Sequence, residues 1–391
     1  MKNKNPIFSL LAIIVISVSV VLLLKPRTST LTDSKKTITK SGSGDVSYEV
    51  KELVSGLDHP WGIDFLPAGD IIFTQRVNKI TIISDSDLVE ITPPEDTFVN
   101  GEGGMLDVVV DPEFSENSYI YLCFNSNNGD GGNPKVVVAR FNLDLNDSKL
   151  TNRVDIIPDL PANPSGRHSG CRLEFDPEGY LWIGTGDTAQ YEIPQDTKSL
   201  GGKVLRIDRD GNSVDGNLGG DFDSRIYSYG HRNIQGLGFF TNEPYKELIG
   251  ISIEHGSDRD DEVNLLKKGN FGWDPLQNYG ESVPMTDTVK FPDAIEAIWK
   301  SGYPTIAASG GTVINSDKWG DWQNSIVVAA LKGSHVRVFQ IDPDGKIVKE
   351  ETILKNQYGR IRTVQESPDG KLYLLTDNGG EEDKILVLEP R

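Results

Sequence analysis

The sequence predicts an all-β fold: one six-bladed β-propeller of four-stranded antiparallel blades, preceded by an apolar N-terminal segment. Three observations favour it: a unit of short apolar strands recurs six times, Gly and Pro are spread along the chain, and no long window beyond the N-terminus has a helical period. The 391 residues include 40 Gly and 21 Pro, as expected where short strands alternate with turns. Strands that each bury one face must stack on neighbours, which is how propeller blades pack.

The recurring unit opens with a short apolar run, turns at a sequence such as Asp-Pro-x-Gly, and resumes with an apolar strand. The six units contain, in order, Gly62, Leu106, Leu173, Gly236, Gly311 and Val364. Before the first unit, residues 48–54 have the pattern of a strand and could supply the outer strand of the last blade. One closed ring over residues 47–391 therefore fits the sequence better than two domains.

Residues 1–27 form a separate segment, predicted to be a signal anchor or a signal peptide. Lys2 and Lys4 precede an apolar stretch over residues 6–24, which is long for a signal-peptide core and short for a spanning helix. No small-x-small cleavage site follows, so an anchor is favoured over cleavage. Either alternative predicts an extracytoplasmic protein that contacts the membrane only through this segment or is secreted. Residues 28–46 are rich in Ser, Thr, Gly and Lys and are predicted to be a flexible linker.

Charge and cysteine content exclude some classes of function. The net charge of −19 argues against a nucleic-acid partner, because phosphate binding needs clustered Lys and Arg. Cys123 and Cys171 are the two cysteines, and they form neither a CxxC motif nor a disulfide framework. One bridge between them is possible in an oxidising compartment, and the sequence leaves this open.

His168 and Asp187 are the first candidate catalytic residues. His168 lies in the Gly-Arg-His-Ser-Gly stretch at the entrance of an inner strand, where a base would point toward the ring axis. Asp187 ends the next strand and could orient the imidazole. Taken alone, His168 fits a structural role better than a catalytic one, and Gly-Thr-Gly-Asp is only a turn signal.

Two further loops concentrate polar residues. The stretch 229–236 places Arg232 and Asn233, with an imidazole and a second amide, directly before an apolar strand, which favours function over a solvated turn. The stretch 254–262 contains five acidic residues in nine, and calcium prefers carboxylate and backbone carbonyl oxygens. An acidic surface loop fits that composition equally well, and the spacing is not that of an EF-hand.

Three cations stand in late loops: Lys332, Arg360 and Arg362. Arg360 and Arg362 alternate with Ile361, so both face one side of a strand that begins there. Two neighbouring guanidinium groups repel each other unless an anion joins them, and Arg favours bidentate contacts with carboxylates. The pair therefore predicts an acidic ligand.

Taken in order, these motifs resemble the soluble glucose/sorbosone dehydrogenase family, whose members use pyrroloquinoline quinone in a six-bladed propeller. The resemblance covers about residues 50–390 and is carried by the ordered set of motifs. That set includes H-P-W-G from His59, E-G-G-M-L from Glu102, H-S-G-C-R from His168, L-G-G-K-V-L-R-I-D from Leu200, Y-G-H-R-N from Tyr229, E-H-G from Glu254, G-N-F-G-W from Gly269, Y-P-T from Tyr303, and then L-K-G, R-I-R and L-T-D.

The resemblance implies a role for each candidate. His168 would take the hydroxyl proton while hydride passes to the quinone, Asp187 would orient His168, and Arg232 would stabilise charge on the reduced quinone. The implied cofactor-binding residues are Glu102, Arg232, Asn233, Tyr303, Thr305, Lys332, Arg360 and Arg362. The backbone carbonyls of Gly256 and Ser257, with Asp261, would hold a calcium ion that polarises the quinone.

The expected reaction is oxidation of the C1 hydroxyl of an aldose to the lactone, with pyrroloquinoline quinone and calcium as cofactors. Its partners would be a small sugar and an electron acceptor that the sequence does not identify. Three positions depart from the family pattern: Glu102 stands where Gln is usual, Ser257 where Pro is common, and Phe271 where Tyr is frequent. These departures leave the sugar less defined than the cofactor.

Two other functions stay open at this point. A calcium-dependent propeller lactonase or esterase would use the acidic loop, but it would not need Arg360 and Arg362 facing an acidic ligand. A non-catalytic ligand-binding propeller predicts a missing base or a broken set of cations, whereas His168 and the three late cations are present.

Overall fold

The computed structural model describes residues 29–32, 37–40, 46–85, 87–128 and 133–391. They form six sheets, antiparallel except for one short parallel pair, whose inner strands contact one another in a closed cycle, which confirms the predicted six-bladed propeller. The signal anchor or signal peptide predicted for residues 1–27 lies outside the described residues. Within the described residues, no helix combines the length and hydropathy that a membrane span requires.

Three strands precede the first blade, and each following blade runs from the axis outward. The preceding strands are β1 (Thr30–Leu31), β2 (Thr37–Lys40) and β3 (Ser47–Leu57). Blade 1 comprises β4 (Pro60–Phe65), β5 (Ile71–Gln75), β6 (Lys79–Ser84) and β7 (Asp87–Ile91). Blade 2 comprises β8 (Met105–Val110), β9 (Tyr119–Ser126), β10 (Lys135–Asp144) and β11 (Lys149–Leu160), with the short helix α1 (Phe114–Asn117) between its first two strands.

The remaining blades follow the same order and contain three short 3₁₀ helices. Blade 3 comprises β12 (Gly170–Phe175), β13 (Leu181–Thr185), β14 (Lys203–Ile207) and β15 (Ile226–Tyr229). Blade 4 comprises β16 (Ile234–Phe239), β17 (Gly250–Glu254), β18 (Glu262–Leu265) and β20 (Trp299–Lys300). Between β18 and β20, the short strand β19 (Gly269–Asn270) pairs in parallel with β15 of blade 3. Blade 5 comprises β21 (Ala308–Val313), β22 (Ile326–Ala330), β23 (His335–Ile341) and β24 (Ile347–Ile353). Blade 6 contains β25 (Ile361–Glu366), β26 (Leu372–Thr376) and β27 (Asp383–Pro390). The 3₁₀ helices are Tyr245–Leu248, Gln277–Tyr279 and Asp317–Trp322.

Strand β3 closes the ring. It pairs antiparallel with β27, with Tyr48 opposite Pro390, so blade 6 combines the start and the end of the propeller as the sequence predicts. Tyr48 is fully buried and packs against Trp319 and Trp322 of blade 5, with ring centroids 6.2 and 5.7 Å away. Closure therefore joins β3 both to the sheet of blade 6 and to the side chains of its neighbour.

Two pieces of the stretch predicted to be a flexible linker, residues 28–46, are paired as strands. β1 and β2 both run antiparallel along the outer edge of β3, with Thr30 opposite Ser55 and Thr37 opposite Val50. The physical reason is that an edge strand presents unpaired N–H and C=O groups, which a neighbouring segment can bond whatever its side chains are. The linker prediction did not include this pairing.

Apolar clusters fill the interfaces between neighbouring blades. Trp182 of blade 3 shares a cluster with Leu237 of blade 4, and Val54 of blade 6 shares one with Phe73 of blade 1. Burial of this kind stabilises by about 25 cal/mol for each Å² of apolar surface removed from water. The packed interfaces hold the blades in place, and so they fix the positions of the loops at the ends of the inner strands.

A disulfide joins two neighbouring blades. Cys123 on β9 is bonded to Cys171 on β12, with their Cα atoms 5.8 Å apart and both side chains buried. The pairing that the sequence leaves open is therefore present in the structure. It ties blade 2 to blade 3 at Cys171, which follows closely after His168 in the sequence.

Candidate active site

The predicted site residues converge on one face of the ring because all six inner strands begin there. His168 precedes β12, Arg232 precedes β16 and Arg360 precedes β25. The second strand of each blade is antiparallel to the first and ends on the same face, where Asp187 follows β13 and Lys332 follows β22. Loops that are far apart in the sequence thus become neighbours at the axis.

A cavity of about 320 Å³ lies at this face and is lined by residues from all six blades. The predicted residues that line it are Glu102, Asn233, Thr305, Lys332, Arg360 and Arg362. His168 adjoins two further lining residues, Ser169 and Gly170. Arg232 and Tyr303 are not in the lining: Arg232 is buried, and Tyr303 is 74% exposed.

His168 and Asp187 form a buried pair. The Nδ1 atom of His168 lies 2.8 Å from Oδ1 of Asp187, and both side chains are almost completely buried. The backbone N–H of His168 donates to Oε2 of Glu102 at 3.0 Å. When Nδ1–H donates to Asp187, Nε2 carries the lone pair, so the ring is set up to accept a proton at Nε2.

Two residues that the sequence analysis missed complete the bonding of Asp187. Its Oδ2 atom accepts from Nε1 of Trp273 and from the hydroxyl of Tyr279, both at 2.7 Å, while the N–H of Ala189 donates to Oδ1 at 2.9 Å. The Tyr279 hydroxyl is also 3.0 Å from Nδ1 of His168. Burial and the neighbouring Asp187 raise the pKa of Tyr279 above its ordinary value, so the phenol stays neutral and able to donate.

Arg232 is held by a carboxylate that the sequence analysis also missed. Its Nε and Nη2 atoms donate to Oε1 of Glu281 at 2.9 and 2.6 Å, and its Nη1 donates to the carbonyl of His255 at 2.8 Å. The other oxygen of Glu281 accepts from Nη2 of Arg167 at 2.6 Å. Burial opposes ionisation of Glu281, but Arg232 and Arg167 outweigh it and lower the pKa of Glu281.

Asn233 presents its amide to the cavity. Its Oδ1 accepts from the backbone N–H of Gly170 and from the side chain of Gln235, both at 3.1 Å. In this orientation the Nδ2 donors remain for a ligand in the cavity that Asn233 lines.

The three late cations are brought together at the cavity. Asp377 accepts from Nη2 of Arg362 at 2.5 Å, and it lies 3.7 Å from Nη2 of Arg360. Burial opposes ionisation of Asp377, but Arg362 and His59 outweigh it and lower its pKa. The Nε atom of Arg362 is buried and has no hydrogen-bond partner among the residues that the structure describes. With Lys332 also lining the cavity, the cluster keeps an excess of positive charge and an unpaired donor, which fits a ligand with several carboxylates.

The predicted metal loop lies beside this cavity, next to His255. The N–H of Gly256 donates to Oδ1 of Asp261 at 2.9 Å, and the N–H of Ile306 donates to Oδ2 at 2.7 Å. Asp261 thus holds the loop through both oxygens, and its role as a metal ligand stays a prediction, as do the roles of the Gly256 and Ser257 carbonyls. The Ser257 hydroxyl is buried and no described residue bonds it, and a bound ion or water can complete such a polar atom.

Two other features near this region do not add to the site. Phe271 is buried against the ring of His231, with ring centroids 4.4 Å apart. A Tyr at this position would therefore place its hydroxyl in the core. Among the described residues, Asp58, His59 and Asp383 lie close enough to share a metal ion. However, Oδ2 of Asp383 already accepts from the N–H groups of His59 and Gly379.

Comparison with known proteins shows the family of the chain. Residues 57–387 match the family model described as Glucose / Sorbosone dehydrogenase. The chain is 33% identical over 362 residues to the aldose sugar dehydrogenase YliI of Escherichia coli, which covers 88% of this chain and 94% of that one. The apo-form structure of the soluble aldose sugar dehydrogenase from Escherichia coli superposes with a TM-score of 0.77 at 30% identity, over 91% of this chain and 100% of that one.

A second solved structure has a ligand in its description. The PQQ-bound form of an aldose sugar dehydrogenase from Streptomyces coelicolor superposes with a TM-score of 0.71 at 27% identity, over 91% of this chain and 99% of that one. The family match spans most of the propeller, and the order of motifs in the sequence predicts the same relationship. The chain therefore belongs to the glucose/sorbosone dehydrogenase family.

Proposed function

We propose that the protein oxidises the C1 hydroxyl of an aldose to the lactone, with pyrroloquinoline quinone and calcium as cofactors. The observation that carries the proposal is that an oriented imidazole, His168 with Asp187, adjoins a cavity lined by three cations. The relatives described as aldose sugar dehydrogenases, one of them solved with PQQ bound, support the same reaction.

The cations account for the binding of a tricarboxylate cofactor. Lys332, Arg360 and Arg362 would hold its carboxylates, and the Nε of Arg362 supplies a donor that no residue of the described ranges bonds. Thr305 and the more exposed Tyr303 would line the bed of the cofactor, while Asn233 would donate to it from the cavity wall. When bound, the quinone supplies the acceptor for the hydride that leaves C1 of the sugar.

The calcium assignment rests on the loop that follows β17. The Gly256 and Ser257 carbonyls would coordinate the ion, because calcium prefers oxygen ligands, including backbone carbonyls. Asp261 would position the loop through the bonds it makes to Gly256 and Ile306, with or without binding the ion itself.

His168 would act as the base. Its Nε2 atom would accept the proton of the C1 hydroxyl, and Asp187 would stabilise the imidazolium that forms. Arg232, which is almost completely buried, would stabilise negative charge that develops in the site. Glu102, which bonds the backbone of His168, would contribute a carboxylate at the sugar-binding side.

The disulfide supports an extracytoplasmic location, since such bonds persist in oxidising compartments. Residues 6–24 would anchor the protein to the membrane or be removed with a signal peptide.

The test is to purify the full chain without cofactor, add pyrroloquinoline quinone and calcium, and follow reduction of an artificial electron acceptor over a panel of aldoses. Calorimetry should show cofactor binding that requires calcium, and the His168→Ala variant should bind the cofactor but lose turnover by at least about a hundredfold. Absence of cofactor binding would contradict the proposal. Full turnover in the His168→Ala variant would remove His168 as the base, and equal restoration by magnesium would count against calcium.

A further inference from the structure

The connection between β19 and β20 carries Glu281 across to the loop that contains the proposed base. Glu281 joins two guanidinium groups: Oε1 accepts from Arg232 and Oε2 accepts from Arg167, with the shortest contact to each at 2.6 Å. Arg167 directly precedes His168 in the chain. The Glu281 carboxylate thus joins Arg167, the sequence neighbour of the proposed base, to the buried Arg232.

Glu281 and Arg167 are accessible from solvent. Their side chains are 25% and 42% exposed, whereas the side chain of Arg232 is 5% exposed. The guanidinium of Arg167 also lies over the ring of Tyr279, 5.1 Å from its centroid, which restricts where it can move. Because the Tyr279 hydroxyl is 3.0 Å from Nδ1 of His168, this partly exposed carboxylate and guanidinium lie close to the proposed base.

The charges around His168 leave no positive excess, in contrast to those of the cation cluster at the cavity, since Asp187, which bonds His168, adds a third carboxylate to Glu281 and Glu102. Arg167 and Arg232 are offset by Glu281 and by Glu102, whose carboxylate accepts from the His168 backbone. The cluster of Lys332, Arg360 and Arg362 instead keeps a positive excess. The two groups therefore favour different ligands: an anionic one at the cluster, and an uncharged one beside His168.

We propose that Glu281 is a specificity-determining residue that restricts the substrate to uncharged aldoses. The inference rests on the proposed function. A sugar hydroxyl can donate to Glu281 or accept from the exposed edge of Arg167. The carboxylate of a sugar acid would instead meet the negative charge of Glu281, which offsets the positive charge of both guanidinium groups, so it would be repelled.

The test compares glucose with glucuronate, which has the same C1 hydroxyl and an added carboxylate, in the full chain loaded with pyrroloquinoline quinone and calcium. In Glu281→Gln, kcat/KM for glucuronate should rise relative to glucose by roughly tenfold, mainly through KM, as expected for removing one charge in a partly hydrated site. A second measurement needs no turnover: the calorimetric Kd for gluconate should fall by a similar factor. Equal changes in kcat/KM for glucose and glucuronate, with no change in the Kd for gluconate, would overturn the proposal.

Three further variants separate specificity from a general effect of charge or folding. Glu296→Gln removes a charge from an exposed position on the same connection; among the described residues no hydrogen bond or ion pair involves the Glu296 carboxylate, and no change in preference is expected. Glu281→Asp should keep the discrimination because it keeps the charge. In the double variant Glu281→Gln/Arg167→Gln, the preference should return toward that of the wild type.

The outcomes for the two proposals are distinguishable. If no variant oxidises any sugar, the proposed function fails, while the gluconate measurement still tests Glu281. If glucose is oxidised but Glu296→Gln shifts the glucuronate preference as much as Glu281→Gln does, the specificity assigned to Glu281 fails and the dehydrogenase activity stands.

Discussion

At the scale of single residues, the site is organised around Asp187, a fully buried carboxylate with four donors directed at it. Several non-glycine residues around it adopt positive φ angles that side chains rarely take, including His168 at 52° and Tyr279 at 59°. Each such residue costs about 1 kcal/mol or more, and it persists because surrounding contacts determine its conformation. The hydrogen bonds of Asp187 supply those contacts for both residues.

Replacement of Tyr279 by Phe should lower kcat for glucose by about fivefold, because Asp187 loses one of the donors that orient it and a hydrogen bond of this kind contributes about 1 kcal/mol. The Kd for pyrroloquinoline quinone should stay unchanged, since Tyr279 does not line the cavity. Steady-state kinetics and calorimetry check the two parts. Tyr245→Phe, which loses a hydrogen bond to the carbonyl of Ile341, is the control; weaker cofactor binding in Tyr279→Phe would contradict the expectation.

At the scale of strands, the composition of the site depends on which strand ends lie on the same face of the ring. Inner strands begin, and second strands end, on one face, so β12 delivers His168 and β13 delivers Asp187 to the same place. The disulfide between β9 and β12 fixes the start of β12 against the neighbouring blade. This arrangement makes the bridge relevant both to stability and to the placement of the proposed base.

Replacement of both Cys123 and Cys171 by Ala should reduce the free energy of unfolding by about 3–4 kcal/mol, because the bridge no longer restricts the unfolded chain over the loop it closes. Denaturant titration of the oxidised wild type and the variant measures the difference. A reducing agent should bring the wild type toward the variant and leave the variant itself unchanged. Equal stability of the oxidised wild type and the variant would count against the bridge.

At the scale of the whole molecule, the propeller is held as a ring by pairing its first long strand with its last. β3 bonds to β27 and buries Tyr48 against two tryptophans of blade 5. The cavity needs this closure, since blades 1 and 6 contribute Trp61 and Arg362 to its lining.

Replacement of Tyr48 by Ala should lower the free energy of unfolding by about 3–5 kcal/mol, the usual cost of deleting a large buried aromatic side chain. The matched control is Val348→Ala, on a side chain that is 61% exposed, which should change stability by less than about 0.5 kcal/mol. Denaturant unfolding followed by tryptophan fluorescence checks both. A Tyr48→Ala variant as stable as the control would mean that closure by β3 contributes little.

The sequence by itself determined the fold class, the ring of six units and the closing strand. Alternating apolar residues and turn signals are local patterns, so they can be recognised without knowing which residues are in contact. It also placed His168, Asp187, Asn233 and the late cations at strand ends, where antiparallel blades bring them to one face. Only the tertiary structure decided the partners. Tyr279 and Glu281 lie on an irregular connection with no period, so nothing local indicates that one bonds Asp187 and the other joins Arg167 to Arg232. The disulfide and the pairing of β1 and β2 along β3 were decided in the same way, since each depends on distances that ring closure sets.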